Sequence, residues 1–485
     1  MEVILSILGL AIAAWAIIDA KKQEHVRVKV ALNVEPLLEC FVCAVALAVL
    51  IPGIQSWIPD KYAGWESLAV IGAQILILAC AFRAVTIIYP NENWNHFELE
   101  QFEPRIERLL LTGSATVVVD VLSEAFPKSL PPRGPGLPIP DSQYANRYDQ
   151  LLERAIRHEE FLRAAAVQDR QYLSQLLSRE SNAAFWNVEK ILNELMFGKE
   201  KILRRELRLC TNFGDKTLGH YYRIPDECVV LHAIFDHIPI AYQIHAWKAV
   251  GEGVLRYIST AKNTEKLDLE QLPFNDGEKP EDVRWDSDIG ASIWFFRLMA
   301  TSAAIQGTTA HMWLPYLRYF VKGIVGIAQV PDHEPWEEYP NRYCYWIRDC
   351  LECLEDVISM TSKIQSDNPN YPTLQQDSSD TIITWSLQLT SDCLRTLFKS
   401  DHIPESTKEN AALSLCLEYE DWKSHDYPTI MPEFAIKHLS RSLDSDQLIL
   451  IVQYLSKVVD NNIYRDTYRE LRDKLLEQAN QKQAL

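Results

Sequence analysis

Beyond residue 141, apolar residues recur at intervals of three and four along most of the chain. Leu151, Leu152, Ala155, Ile156 and Leu162 share one face, and Tyr172, Leu173 and Leu176 resume it. Val188, Ile191, Leu192, Leu195, Ile202 and Leu203 form a second series, and Trp346, Ile347, Cys350, Leu351, Leu354 and Val357 a third. Leu448, Ile451, Val452, Leu455 and Val458 follow Ser445 and Asp446, either of which can cap them, and Tyr464, Tyr468, Leu471 and Leu475 close the chain. This spacing lines one side of a 3.6-residue turn, so each series predicts an amphipathic helix. Alternating strand patterns are scarce. The expected fold class is all-α, its large domain mainly helical and in general form like an α-solenoid, without the fixed period of a named repeat.

The opening ninety residues follow another pattern. Near-continuous apolar runs at about 3–20, 36–58 and 66–89 approach the ~20 residues that a bilayer core requires. They predict a three-helix transmembrane bundle, with Trp57, Trp65 and Tyr89 at interfacial positions. The first loop holds Lys21, Lys22, Arg27 and Lys29 and the second only Lys61, so the rule that basic loops face the cytosol puts the N-terminus outside. The expectation is an integral protein of the plasma or inner membrane with a cytosolic C-terminal domain. Glu39, Gln74 and Arg83 are the polar side chains inside these spans, and Glu39 and Arg83 lie at similar depth, where pairing offsets the cost of charge in lipid.

Breakers divide the rest. Residues 91–126 form a juxtamembrane segment; within it Leu109–Leu122 is apolar but interrupted by Gly113 and Asp120, and Thr116–Val119 also suits a short strand. Six prolines and two glycines make residues 127–140 an extended linker. Helical domains are expected over 141–262 and 287–485, separated by an acidic loop at 263–286.

Charge narrows the partners. The chain carries a net −18, of which residues 1–90 contribute about −1. An acidic body repels phosphate backbones, so general nucleic-acid binding is not expected. Lys199, Lys201, Arg204, Arg205 and Arg208 stand out against it. A Glu200–Arg204 pair would make them a solvated helix face; as a functional feature they would contact an anion or an anionic lipid. The ten cysteines are scattered, and Cys350 and Cys353 lack a second pair at zinc-ribbon spacing.

Four of the twelve histidines fall between His220 and His245. His232 and Asp236 are one helical turn apart, and with His237 and His245 they offer imidazole and carboxylate donors of the kind that hold zinc or a metal pair, though without HExxH spacing. The alternative is interior histidines bonded to carbonyls and carboxylates. Gly214–Gly219 lacks the order of a phosphate loop, no dinucleotide, kinase or nucleophile-elbow motif occurs, and no cofactor is expected. The leading expectation is a non-enzymatic, membrane-anchored scaffold or sensor that binds a protein or ligand at the cytosolic face. Its partners would be the bilayer, a second copy of the chain or another protein. The alternatives are a membrane-perturbing or channel-forming effector, with the helical domain sensing a trigger, and a metal-dependent hydrolase built on the histidine region.

Overall fold

The computed structural model describes residues 94, 96–126, 142–178, 185–210, 224–236, 238–263, 274, 279–306, 312–328, 339–367, 382–423, 431–441, 443–459 and 465–484, with isolated positions (Val28, Glu39, Val42, Ile71, Gly72, Ile75, Ala79) before them. The described residues are all-helical, with no strand among them. They divide into two compact units, Met1–Tyr172 and Leu173–Leu485.

The first unit contains α1 (His96–Leu111), α2 (Ala115–Glu124), α3 (Ser142–Ile156) and α4 (Glu159–Gln168); α5 (Arg170–Ser178) runs across its end. Helix α1 packs on α3, and α2 on α4. The helices on either side of the proline-rich stretch, itself outside the described residues, thus belong to one unit. Gly113, at φ 77°, ends α1 in the left-handed turn that glycine adopts without a Cβ penalty. The valine run beyond it is helix and not strand: Val118, Val119, Val121 and Leu122 are buried, and this packing overrides the β-branched preference. The Tyr148 hydroxyl meets the Leu122 carbonyl at 3.2 Å and the Tyr172 hydroxyl at 2.7 Å. Asp169 caps α5, its carboxylate accepting the Tyr172 N–H at 2.8 Å.

The second unit begins with α6 (Phe185–Phe197), α7 (Ile202–Leu209), α8 (Val229–Phe235), α9 (Ile238–Gln243), α10 (Ala246–Asn263) and the single turn α11 (Pro280–Val283). It continues through α12 (Asp288–Ile305), α13 (Pro315–Val325), α14 (Arg342–Asp367), α15 (Ile382–Phe398), α16 (Glu405–Trp422), α17 (Met431–Arg441), α18 (Ser445–Val459) and α19 (Arg465–Gln483). From α12 onward each helix packs on the next but one: α12, α14, α16 and α18 follow one another, and α13, α15, α17 and α19 do likewise. The apolar series of α14, α18 and α19 point inward; Trp346, Cys350, Leu354, Leu448, Leu455, Tyr468 and Leu471 are fully buried. Helix α18 is capped one residue earlier than Ser445, by Asp444. Its carboxylate accepts the Gln447 N–H at 2.9 Å, and the Gln447 side chain accepts the Asp444 N–H at 3.1 Å, a reciprocal capping box.

Helix α12 is the central element. Ser287 caps it by accepting the Gly290 N–H at 3.0 Å, and from Ile289 to Ala304 only Arg297 and Ser302 are not buried. It packs against α7, α9, α10, α13 and α14. Gly290 lets Trp346 of α14 approach: a Cβ there would stand 2.6 Å and 2.8 Å from two indole ring carbons. Because Trp346 is itself enclosed, Gly290→Ala is expected to destabilise the protein by about 1–3 kcal/mol, as overpacked cores do. A urea midpoint unchanged from that of the parent would show that α14 can shift to make room.

One buried charge cluster in this unit is paired around Asp349. Asp349, on the buried side of α14, accepts from Arg284 at 3.0 Å, with Arg297 at 3.7 Å. Both guanidinium groups stack on the Trp294 ring, at 4.8 Å and 5.2 Å from its centroid, and Arg284 also donates to the Tyr345 hydroxyl at 3.2 Å.

The membrane assignment is corrected by these helices. Among the described residues, no helix is long and apolar enough to cross a membrane. The longest, α14, carries Arg348, Asp349, Glu352, Glu355 and Asp356, and the most enclosed, α12, spends its apolar surface on neighbouring helices. The reading of the chain as a multi-pass integral membrane protein is thus carried by no described helix. The three opening stretches, with Gln74 and Arg83, lie outside the described residues; Glu39 is helical and exposed.

Candidate functional site

The basic cluster sits where α6 turns into α7. The apolar series from Val188 to Leu203 is interrupted here: α6 ends at Phe197, and Lys201, at φ 48°, starts α7. On α7 the inner face is Ile202, Leu203, Glu206, Leu207 and then Cys210, all buried. At ~100° per residue, Lys201, Arg205 and Arg208 fall within about 60° of one another on the opposite face. Arg205, Arg208 and neighbouring Lys199 are exposed and Lys201 is half-buried.

Arg204 faces the other way. It is 2% exposed, donates from Nε to the Met196 carbonyl at 2.8 Å, forms an ion pair with Asp288 at the start of α12, and lies 5.9 Å from the Phe197 ring centroid. Glu200 consequently pairs with Arg205, at 3.5 Å, in place of Arg204. Glu206 is a carboxylate in an apolar stripe, and its Oε2 accepts the N–H groups of Val230 and Leu231 at 3.1 Å and 3.0 Å. Those donors belong to the first turn of α8, where a helix has N–H groups without intrahelical acceptors and favours negative charge. The Cys228 thiol donates to the Glu206 carbonyl at 3.7 Å. Beside it the Cys210 thiol is pushed up to about 12, by burial first and then by hydrogen bonding and proximity to Cys228. The positive stripe is therefore held on a helix tied to α12 through Arg204 and to α8 through Glu206.

The histidine region resolves differently. His232 and Asp236 do meet, Nδ1 lying 2.9 Å and 3.1 Å from the two carboxylate oxygens, while Nε2 faces the Pro225 carbonyl at 3.1 Å. Both ring nitrogens are thus engaged within the protein. His245 has φ 49° and packs 5.4 Å from the Trp247 ring centroid; burial, and then Lys248, hold it below the usual histidine range. His220 and His237 lie outside the described residues. Among the described residues, no group of three or more His, Cys, Asp or Glu side chains is arranged to hold a metal ion. Cys350 and Cys353 are buried free thiols on α14, both raised by burial.

The roles of Glu206 and Asp288 escape sequence inspection. Glu206 was detectable in principle: a carboxylate at the centre of the 202/203/206/207/210 stripe needs buried donors. Asp288, 84 residues from Arg204 along the chain, carries no local signal of its partner.

The second unit defines the class: an all-α protein of successively packed helices that presents an anchored basic edge. Comparisons with protein-family models, with curated proteins and with solved structures give no match for this chain.

Proposed function

We propose that the chain is a non-enzymatic helical binding platform that docks an acidic segment of a protein partner on the exposed face of α7. The observation that carries this reading is the Lys201–Arg205–Arg208 stripe on a helix whose opposite face is tied to two others. Preorganised charge binds with less ordering cost than the same side chains on a free loop. In a chain of net −18 the stripe also supplies local attraction where the wider surface repels an anion. Behind it, α12–α19, each packed on the next but one, form a solenoid-like scaffold of the kind that displays extended recognition surfaces.

The test is binding of a fluorescent oligoglutamate peptide to the purified full chain at low salt. Each exposed contact contributes about 0.2–1 kcal/mol, so the combined variant Lys201→Glu, Arg205→Glu and Arg208→Glu is expected to weaken binding on the order of tenfold or more. Raising salt toward 0.5 M should do the same by screening. Equal affinity of the parent and the triple variant would overturn the proposal.

A further inference from the structure

Resting on the docking of an acidic partner at α7, we infer that the docked segment is itself an amphipathic α-helix. Its carboxylates face the basic stripe at successive turns, and an apolar side chain beside them covers Leu209.

The exposed face of α7 is not purely basic. Leu209 follows Arg208 and lies four residues beyond Arg205, about 40° from it around the helix axis. It is 41% exposed, although Ile202, Leu203 and Leu207 of the same helix are buried. A single exposed leucine is ordinary in itself. Its place against two exposed arginines makes a mixed patch, which a carboxylate alone leaves half covered. Arg205 has room for a partner. Its side chain is 62% exposed and meets Glu200 at 3.5 Å, which leaves other guanidinium N–H groups for a second carboxylate.

Spacing favours a helical occupant. Lys201, Arg205 and Arg208 rise by about 6 Å and then about 4.5 Å along α7. Carboxylates at i, i+4 and i+7 of a parallel helix repeat those two steps, and i, i+3 and i+7 repeat them for an antiparallel one. In an extended chain the side chains on one face recur every ~6.6 Å, so three of them span about 13 Å against about 10.5 Å on α7. Backbone hydrogen bonding points the same way. A helix satisfies its own N–H and C=O groups, whereas an extended segment gains most from a free sheet edge, and there is no strand among the described residues. Packed helices also bring their axes to ~8–10 Å, within reach of an apolar side chain laid on Leu209.

The experiment measures binding of fluorescent peptides of about 20 residues to the purified full chain at low salt, with oligoglutamate as the reference. The patterned peptides are alanine-rich, with glutamates at i, i+4 and i+7 or at i, i+3 and i+7, and a leucine adjoining the end glutamate. Their controls have the same charge and a central proline that breaks the helix. The better patterned peptide is expected to bind on the order of tenfold more tightly than its proline control. Leu209→Ala, at an exposed position where folding should be unaffected, is expected to weaken the patterned peptide about fivefold and leave oligoglutamate unchanged. Stripe-dependent binding of oligoglutamate, with patterned and proline-broken peptides equal, would overturn the helical partner alone. So would a patterned-peptide affinity indifferent to Leu209→Ala. If no acidic peptide binds, or if the Lys201→Glu, Arg205→Glu, Arg208→Glu variant binds them as the parent does, the docking reading falls together with it.

Discussion

Asp349→Ala is expected to lower the unfolding free energy by about 3–5 kcal/mol, the range for removing one partner of a buried ion pair. The size follows from the neighbours left behind. Asp349 is 1% exposed, and its carboxylate is the acceptor for Arg284, itself 6% exposed. Without it the Arg284 guanidinium keeps the Tyr345 hydroxyl and the face of Trp294 but no buried countercharge at hydrogen-bond distance. Arg297 retains Asp356 at 2.9 Å, so the loss falls mainly on Arg284. Asp349→Asn should lie between the two, since it preserves shape and one acceptor while removing the charge. Exposed pairs provide the control: Arg157→Ala, which removes the surface contact to Glu153 at 2.8 Å, should change stability by less than about 0.5 kcal/mol. Urea titrations followed by tryptophan fluorescence would measure all three. A loss below about 1 kcal/mol for Asp349→Ala would mean that water or a rearranged side chain takes over the buried charge.

The opposite sign is expected at Glu355. This α14 carboxyl is 4% exposed, accepts from Ser414 of α16 at 2.9 Å, and faces Glu418 of α16 together with Glu352 and Asp356 of its own helix. Burial, and then repulsion from Glu418, hold it well above the usual carboxylate range, and the Ser414 bond opposes them only in part. The folded protein thus keeps a proton that the unfolded chain releases in the ordinary carboxylate range. Its contribution to stability is complete below that range and is lost as pH rises through the raised folded value. Glu355→Gln removes the ionisation and keeps an acceptor for Ser414. It should therefore stabilise the protein at about pH 8, by on the order of 1–3 kcal/mol, and by distinctly less at about pH 5, where the unfolded carboxyl is only partly ionised. A variant equally stable or less stable than the parent at both pH values would show that Glu355 is accommodated in its ionised form.

Periodicity made the helices legible because burial on one side is a local property. Trp346, Cys350 and Leu354 could be assigned to a covered face from spacing alone, and so could Tyr468, Leu471 and Leu475. Where two local preferences conflicted, the pattern was silent. The valines of α2 favour strand until α4 covers them, and the series from Val188 to Leu203 continues smoothly through a turn that Lys201 makes at φ 48°. Direction of charge was less legible still. Five basic residues within ten positions look alike in sequence, yet Arg204 turns inward because Asp288, the Met196 carbonyl and Phe197 surround that one position. His232 and Asp236 meet across a helix turn as expected, but the Pro225 carbonyl that occupies the second nitrogen of His232 is a backbone group and leaves no trace in residue identity.

The enclosure of α12 limits how the chain can be dissected. A cut after residue 306 would strip the rod of α13 and α14, and a cut before residue 288 would deny it α7, α9 and α10. Either fragment would carry α12 with one side uncovered, so trimming from either end should yield aggregates well before it yields a smaller working domain.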